Sequence, residues 1–181
     1  MSSFRIIFKD LKPNIANAIK ESCIRTEVRI YNIANDVQNT MTMRSMDNYS
    51  LATGSDTTQD LAKIIDRTVK DSVGVGCDLS VIVKGLMLGA FRAWPFIRED
   101  ALKIIKVVIK DIVQTIFNHK GNIKEMIEGL LTAVVMIAME FKLNVQETLT
   151  FAKGYILIAA KEVDLKYSEE ITQALPNLDG L

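Results

Sequence analysis

His119 is the one histidine in this chain of 181 residues. Imidazole is the side chain whose ordinary pKa lies nearest neutrality, so acid–base chemistry would be sought there first. It stands in "FNHKGN", followed by Lys120. A general base needs a nucleophile to deprotonate and a carboxylate to orient its ring. The local sequence supplies neither, so His119 reads as an exposed loop residue. Cys23 and Cys77 are the two cysteines. With one histidine they would leave a zinc site a ligand short, and no metal-ligand spacing is present. Cys77 stands just ahead of an expected helix N-terminus, where a thiolate is stabilised. An inert small residue in a turn explains it equally well.

Phosphate and carboxylate chemistry give equally bland readings. "VGVGCD", residues 73–78, carries Gly74 and Gly76, but it follows a helical pattern rather than a strand. It lacks the third glycine of a dinucleotide loop and the lysine of a phosphate loop, so it reads as a helix end and tight turn. A di-metal carboxylate bundle would need Glu-x-x-His on facing helices, which is absent. Glu125, Glu128, Glu140, Glu147 and Glu162 suit helix surfaces and first turns. The sequence therefore assigns no catalytic residue, no metal ligand and no cofactor.

The elements that would position any site are helical. Apolar residues make up 49% and charged residues 24%, the balance of a chain that buries a core without disulfide staples. The 22 basic and 22 acidic side chains cancel. That offers no basic excess for nucleic acid, and it removes a repulsion that opposes self-association. The most apolar stretch, Gly129–Met139, lies between Glu128 and Glu140; it is far short of the roughly 20 residues of a membrane span. The start, "MSSFRIIFKDLKPN", has no apolar run of secretory length, and a cytoplasmic protein is the expectation.

Two breaks divide the chain. One is the polar segment 39–56 and the other is "RAWPFIRED", where Pro95 opposes helix. They suggest an N-terminal unit, 1–56, and a second unit, 57–181, packed as one body. From about Pro13 to Gln38, Ala16, Ile19, Cys23, Thr26, Ile30, Ile33 and Val37 recur at alternating spacings of three and four. That is the seam of a long helix against one partner helix. Five further helices follow, with capping pairs at Asp56/Gln59, Asn122/Glu125 and Asn144/Glu147, a cap at Asp78, and Ser168 opening a last turn. Period-two alternation is not sustained anywhere, so the expected fold is all-α.

The chain also repeats itself. "DLAKIIDRTVKDSV" from Asp60 aligns without a gap on "DALKIIKVVIKDIV" from Asp100, and "LSVIVKGLMLGAF" from Leu79 aligns on "IKEMIEGLLTAVV" from Ile123. Gly85 then falls on Gly129 and Gly89 on Ala133, and Gly154 echoes the same place in "KGYILIAAKE". A duplicated helical hairpin with a period of about 40 residues is the natural reading. Glycine within a helix costs about 1 kcal/mol relative to alanine, so Gly85, Gly89, Gly129, Ala133 and Gly154 are expected at tight helix crossings. The helices Leu79–Ala93 and Ile123–Phe141 are apolar on most sides, Met136 included, and should lie inside. Those carrying Lys63, Lys70, Lys103, Lys106 and Lys110 should lie outside. A compact bundle and an open helical solenoid both satisfy this pattern, and the bundle is preferred.

Functional expectations follow from the residues left over. The seam residues Ile19, Ile30, Ile33 and Val37, the cluster Met41, Met43 and Met46, and the corner Trp94 and Phe96 have the chemistry of contact surfaces. The first reading is a non-enzymatic interaction or scaffold protein whose partner is another protein or a second copy. The second is a helical carrier with an apolar cavity near Gly85 and Gly129. A third is peripheral membrane binding through the Lys103, Lys106 and Lys110 face, and an enzyme assembled in space is the fourth.

Overall fold

Nine of the 18 residues in Ala101–Asn118 are isoleucine, valine or threonine, side chains that stiffen at χ1 and weaken an isolated helix. The segment is helical because one broad face is buried: Ile104, Ile105, Val108, Ile109, Ile112, Val113 and Ile116 all lie in the core. Lys103, Lys106, Lys110 and Gln114 face water. Burying one such aliphatic side chain contributes about 1.5–3 kcal/mol. Propensity deficits of a few tenths of a kcal/mol per residue are small beside that.

The computed structural model describes residues 30–39, 55–74, 77–93 and 101–175. Among them are seven helices and no strand. In chain order they are α1 (30–39), α2 (Ser55–Gly74), α3 (Leu79–Ala93), α4 (Ala101–Asn118), α5 (Ile123–Glu140), α6 (Val145–Val163) and α7 (Leu165–Ala174). The all-α expectation holds. Ile19, Met41, Met43, Met46, Trp94 and Phe96 lie outside the described residues, as does the expected course of the N-terminal helix before residue 30.

Helix ends follow the polar punctuation of the sequence. Asn122 Oδ1 accepts from the backbone N–H groups of Lys124 and Glu125, and Asn144 Oδ1 accepts from that of Glu147. Asp78 Oδ1 accepts from Ser80 N–H at 2.8 Å. Each satisfies a donor that the first helical turn leaves without a partner. Two expected caps differ. The first residue of α2 is Ser55, so Asp56 lies inside the helix. Ser168 is buried within α7, whose cap is Asp164, accepting from Tyr167 N–H at 2.9 Å. Asp164 wins because its extended backbone leaves the carboxylate reaching forward, whereas Ser168 already has helical neighbours on both sides.

The helices stack in two layers. The most extensive contact is α3 on α5, and the next is α4 on α6. Helix α2 touches α3 and α4, while α6 also packs on α5 and α7. The α3–α5 links rise together along both helices: Leu79 meets Glu125, Ser80 and Val83 meet Gly129, and Arg92 meets Glu140. These two helices are therefore parallel, and α4 returns the chain between them. Helix α1 lies on α3 in the same sense, with Ile30 and Ile33 at Gly85 and Ala34 and Val37 one turn on at Gly89. The resulting inner row is α1, α3 and α5, behind an outer row of α2, α4 and α6. Lys63, Lys70, Lys103, Lys106 and Lys110 are all exposed on the outer row.

Candidate interaction surface

Three helical glycines sit where a neighbouring backbone crosses. A Cβ on Gly85 would lie 2.6 Å from Ile33 Cγ2, and one on Gly89 would lie 2.5 Å from the Ala34 carbonyl oxygen. On Gly129 it would lie 2.7 Å from the Ser80 carbonyl oxygen and 2.9 Å from Val83 Cβ. In each case the neighbour offers a carbonyl and, three residues later, a side chain. Ala133, one turn after Gly129, is fully buried. These contacts close the helix crossings at Gly85 and Gly129. They also occupy the α1 seam. Val37 is buried, Ile30 and Ile33 are half-buried, and all three pack against the molecule's own core.

Gly154 departs from the expected pattern. It is exposed, and nothing lies within 4 Å of the position its Cβ would take. The echo of "KG" in the sequence predicts a close helix crossing at Gly154. But α6 packs chiefly against α4, in the outer row, because a chain of alternating hairpins returns to that row at every second helix. The face carrying Gly154 therefore points away from the layers. Ile158, one turn further, is 51% exposed. On α5, Met136 and Met139 are 40% and 69% exposed, although the apolar run of this helix placed Met136 inside. In the last two turns Ala133, Val134, Ile137 and Ala138 are still buried, and only the face carrying Met136 and Met139 is left uncovered, next to the ion pair of Arg92 with Glu140.

That pair is bidentate: Arg92 Nε donates to Glu140 Oε1 at 3.0 Å and Nη2 to Oε2 at 2.7 Å. The hydrogen bond to Glu140 is the main reason the Arg92 pKa is raised further. Beneath it, the Phe91 and Phe141 rings meet edge to face at 4.8 Å. The pair and the rings hold the C-terminal ends of α3 and α5 in register, which fixes the placement of Met136 and Met139.

The opposite end of the bundle gathers polar groups. Glu125 reaches across from α5 so that its Oε2 accepts from Leu79 N–H of α3 at 2.8 Å, while its Oε1 accepts from Asn122. His119 is half-buried, not a free loop residue, with Nε2 2.8 Å from Asp66 Oδ1 of α2. The sequence hides this partner because it lies 53 positions away. The pair ties the middle of α2 to the turn after α4. Cys77 is half-buried against the core, in the turn whose N–H donates to the Ser72 carbonyl. Among the described residues, no group of three or more His, Cys, Asp or Glu is placed to hold a metal. Among them, too, no helix is long and apolar enough to cross a membrane.

Along the outer row, Lys110 Nζ lies 2.7 Å from Glu162 Oε2, and Lys106 Nζ lies 5.0 Å from the centre of the Tyr155 ring. Both link α4 to α6. Next to Lys110 in the chain, Asp111 is half-buried, and desolvation pushes its carboxyl up to about 6, against a smaller opposing pull from Lys110. Sequence reasoning missed Asp66, Asp111 and the exposed methionines. A carboxylate in a run of isoleucine and valine was the one available signal, at Asp111. Comparison of the chain with protein-family models, curated proteins and solved structures yields no match.

Proposed function

We propose that the protein is a non-enzymatic interaction or scaffold component that self-associates or is built into a larger assembly. The observation that carries this reading is the exposure of Met136, Met139 and Ile158 on helices whose remaining faces are buried. Solvating such side chains is unfavourable at about 25 cal/mol per Å² of apolar area, and methionine adapts its shape to a partner. The cancelling charge of 22 basic and 22 acidic groups supports self-association, since no net repulsion opposes it.

Two architectural proposals accompany this reading. The first is that α2–α3 and α4–α5 are copies of one helical hairpin. It is supported by the alignment of Asp60–Val73 with Asp100–Val113 and by the shared carbonyl-and-side-chain contact at Gly85 and Gly129. The second is that the helix seen at 30–39 belongs to a longer one starting near Pro13, since Ala16, Ile19, Cys23 and Thr26 continue the spacing of Ile30, Ile33 and Val37.

Native mass spectrometry of the full chain taken from its source tests the functional reading. A defined oligomer or a stoichiometric complex is expected, lost when Met136, Met139 and Ile158 are together replaced by lysine while helix content by circular dichroism stays unchanged. A bare monomer at micromolar concentration, both in extract and purified, would overturn it.

A further inference from the structure

The exposed face of α6 is arranged symmetrically about Gly154. Gly154 lies at its middle, open to solvent. Thr150 and Ile158 stand four residues to either side and are both exposed. Glu147 and Lys161 stand seven residues to either side, in the first and last turns of the helix, and are also exposed. Seven residues complete nearly two turns, so these two charges and Gly154 share one line along the helix. Neither charge forms an ion pair among the described residues, although Lys110 and Glu162 do so on the flank of the same helix.

We propose that this face binds the same face of a second copy, the two α6 helices crossing antiparallel at Gly154 about a two-fold axis. In that arrangement Glu147 of each copy lies opposite Lys161 of the other, and Ile158 of each lies opposite Thr150, beside the hollow at Gly154. An acidic first turn and a basic last turn suit the dipole of any helix. Their equal distance from an exposed glycine, on one line, makes the face complementary to itself. Packing a helix onto glycine is also the mode the molecule already uses at Gly85, Gly89 and Gly129, each covered by a neighbouring helix. Gly154 is the helical glycine in the middle of an element that is left uncovered. The proposal rests on the self-association reading and names its surface. One helix pair buries less than the ~1,200 Å² of a standard interface, so the dimer should be weak and concentration-dependent.

Sedimentation velocity of the full chain over a dilution series provides the test. The unmodified protein should pass from monomer to dimer with rising concentration. Gly154→Leu should abolish the dimer without lowering the melting temperature, because the site is open. Ile158→Glu should do the same. Glu147→Lys should weaken the dimer by about tenfold, and Glu147→Lys/Lys161→Glu should recover it. A dimer that survives Gly154→Leu and Ile158→Glu would overturn the α6 assignment and leave self-association through another face standing. Failure of the double exchange to restore binding would overturn the antiparallel geometry. A monomer at every concentration would remove both the assignment and self-association.

Discussion

Asp71 and Asp111 occupy the same place in two stretches of 14 residues that match at seven positions, yet one is in water and the other is half-buried. Asp71, on α2, is exposed and 4.0 Å from Arg67, one turn earlier on the same helix. Asp111, on α4, is half-buried, within reach of the field of Tyr155 on α6. The two helices keep the same phase of buried and exposed positions: Ile65 and Val69 are buried on one, Ile105 and Ile109 on the other. What differs is depth. Ile64 and Val73 are half-buried, whereas their counterparts Ile104 and Val113 are buried. Helix α4 has α2 on one side and α6 on the other, so a pattern that covers one face of α2 is covered more widely there. Sequence pattern selects the face, and position in the stack sets how far from water it lies.

The inner row draws the same contrast with its glycines, and the largest expected effect tests it. Gly89→Val would drive a branched side chain into the Ala34 carbonyl, 2.5 Å from the Cβ position, and onto Val37. A backbone atom cannot rotate aside, so a loss of about 3 kcal/mol or more is expected in urea unfolding. Gly129→Ala meets the Ser80 carbonyl and Val83 Cβ and should cost about 1–3 kcal/mol. Gly154→Ala, in open space, should instead stabilise the monomer by up to about 1 kcal/mol through helix propensity. Equal effects at Gly129 and Gly154 would break the distinction between a covered and an uncovered glycine.

The Asp111 contrast gives an effect of similar or smaller size, with a definite sign. Burial raises its folded pKa to about 6 from an ordinary 3.8, so the folded protein holds the proton more tightly than the unfolded chain. The stability this contributes is fully present below the unfolded value and is lost as pH rises through about 6. Asp111→Asn should therefore be more stable than the unmodified protein at neutral pH, by ~1 kcal/mol once partial solvent screening is allowed for. The advantage should vanish below the ordinary carboxylate range. Thermal unfolding across pH reads this directly, and a pH-independent difference would show that α6 does not desolvate Asp111.

Much of the local structure was legible in the chain. Asn122, Asn144 and Asp78 cap the helices they precede, because a short polar side chain satisfies nearby N–H groups whatever the rest of the protein does. The outer lysines face water for a similarly local reason. The candidate surface was less legible. Met136 and Met139 belong to an apolar run that looks uniformly internal, and only the number of neighbours around α5 decides where the run leaves the core. Glu125 reads as part of a capping pair, but its carboxylate also crosses to Leu79 of α3, since helix α3 presents unfilled donors at the same height.

The sequence by itself determined the helices, most of their polar ends, and the face each turns inward, because periodicity, capping and backbone restriction act within a few residues. Only the tertiary structure decided which neighbour each glycine receives and which side chains remain uncovered. A glycine in a helix permits close approach without choosing a partner, so Gly129 under α3 and Gly154 in open space look alike in the chain. Likewise His119 and Asp66, 53 residues apart, meet because the turn after α4 comes to lie over the middle of α2. Contacts of that kind depend on the order in which parallel helices stack, and that order is set by the combined burial of all the rows.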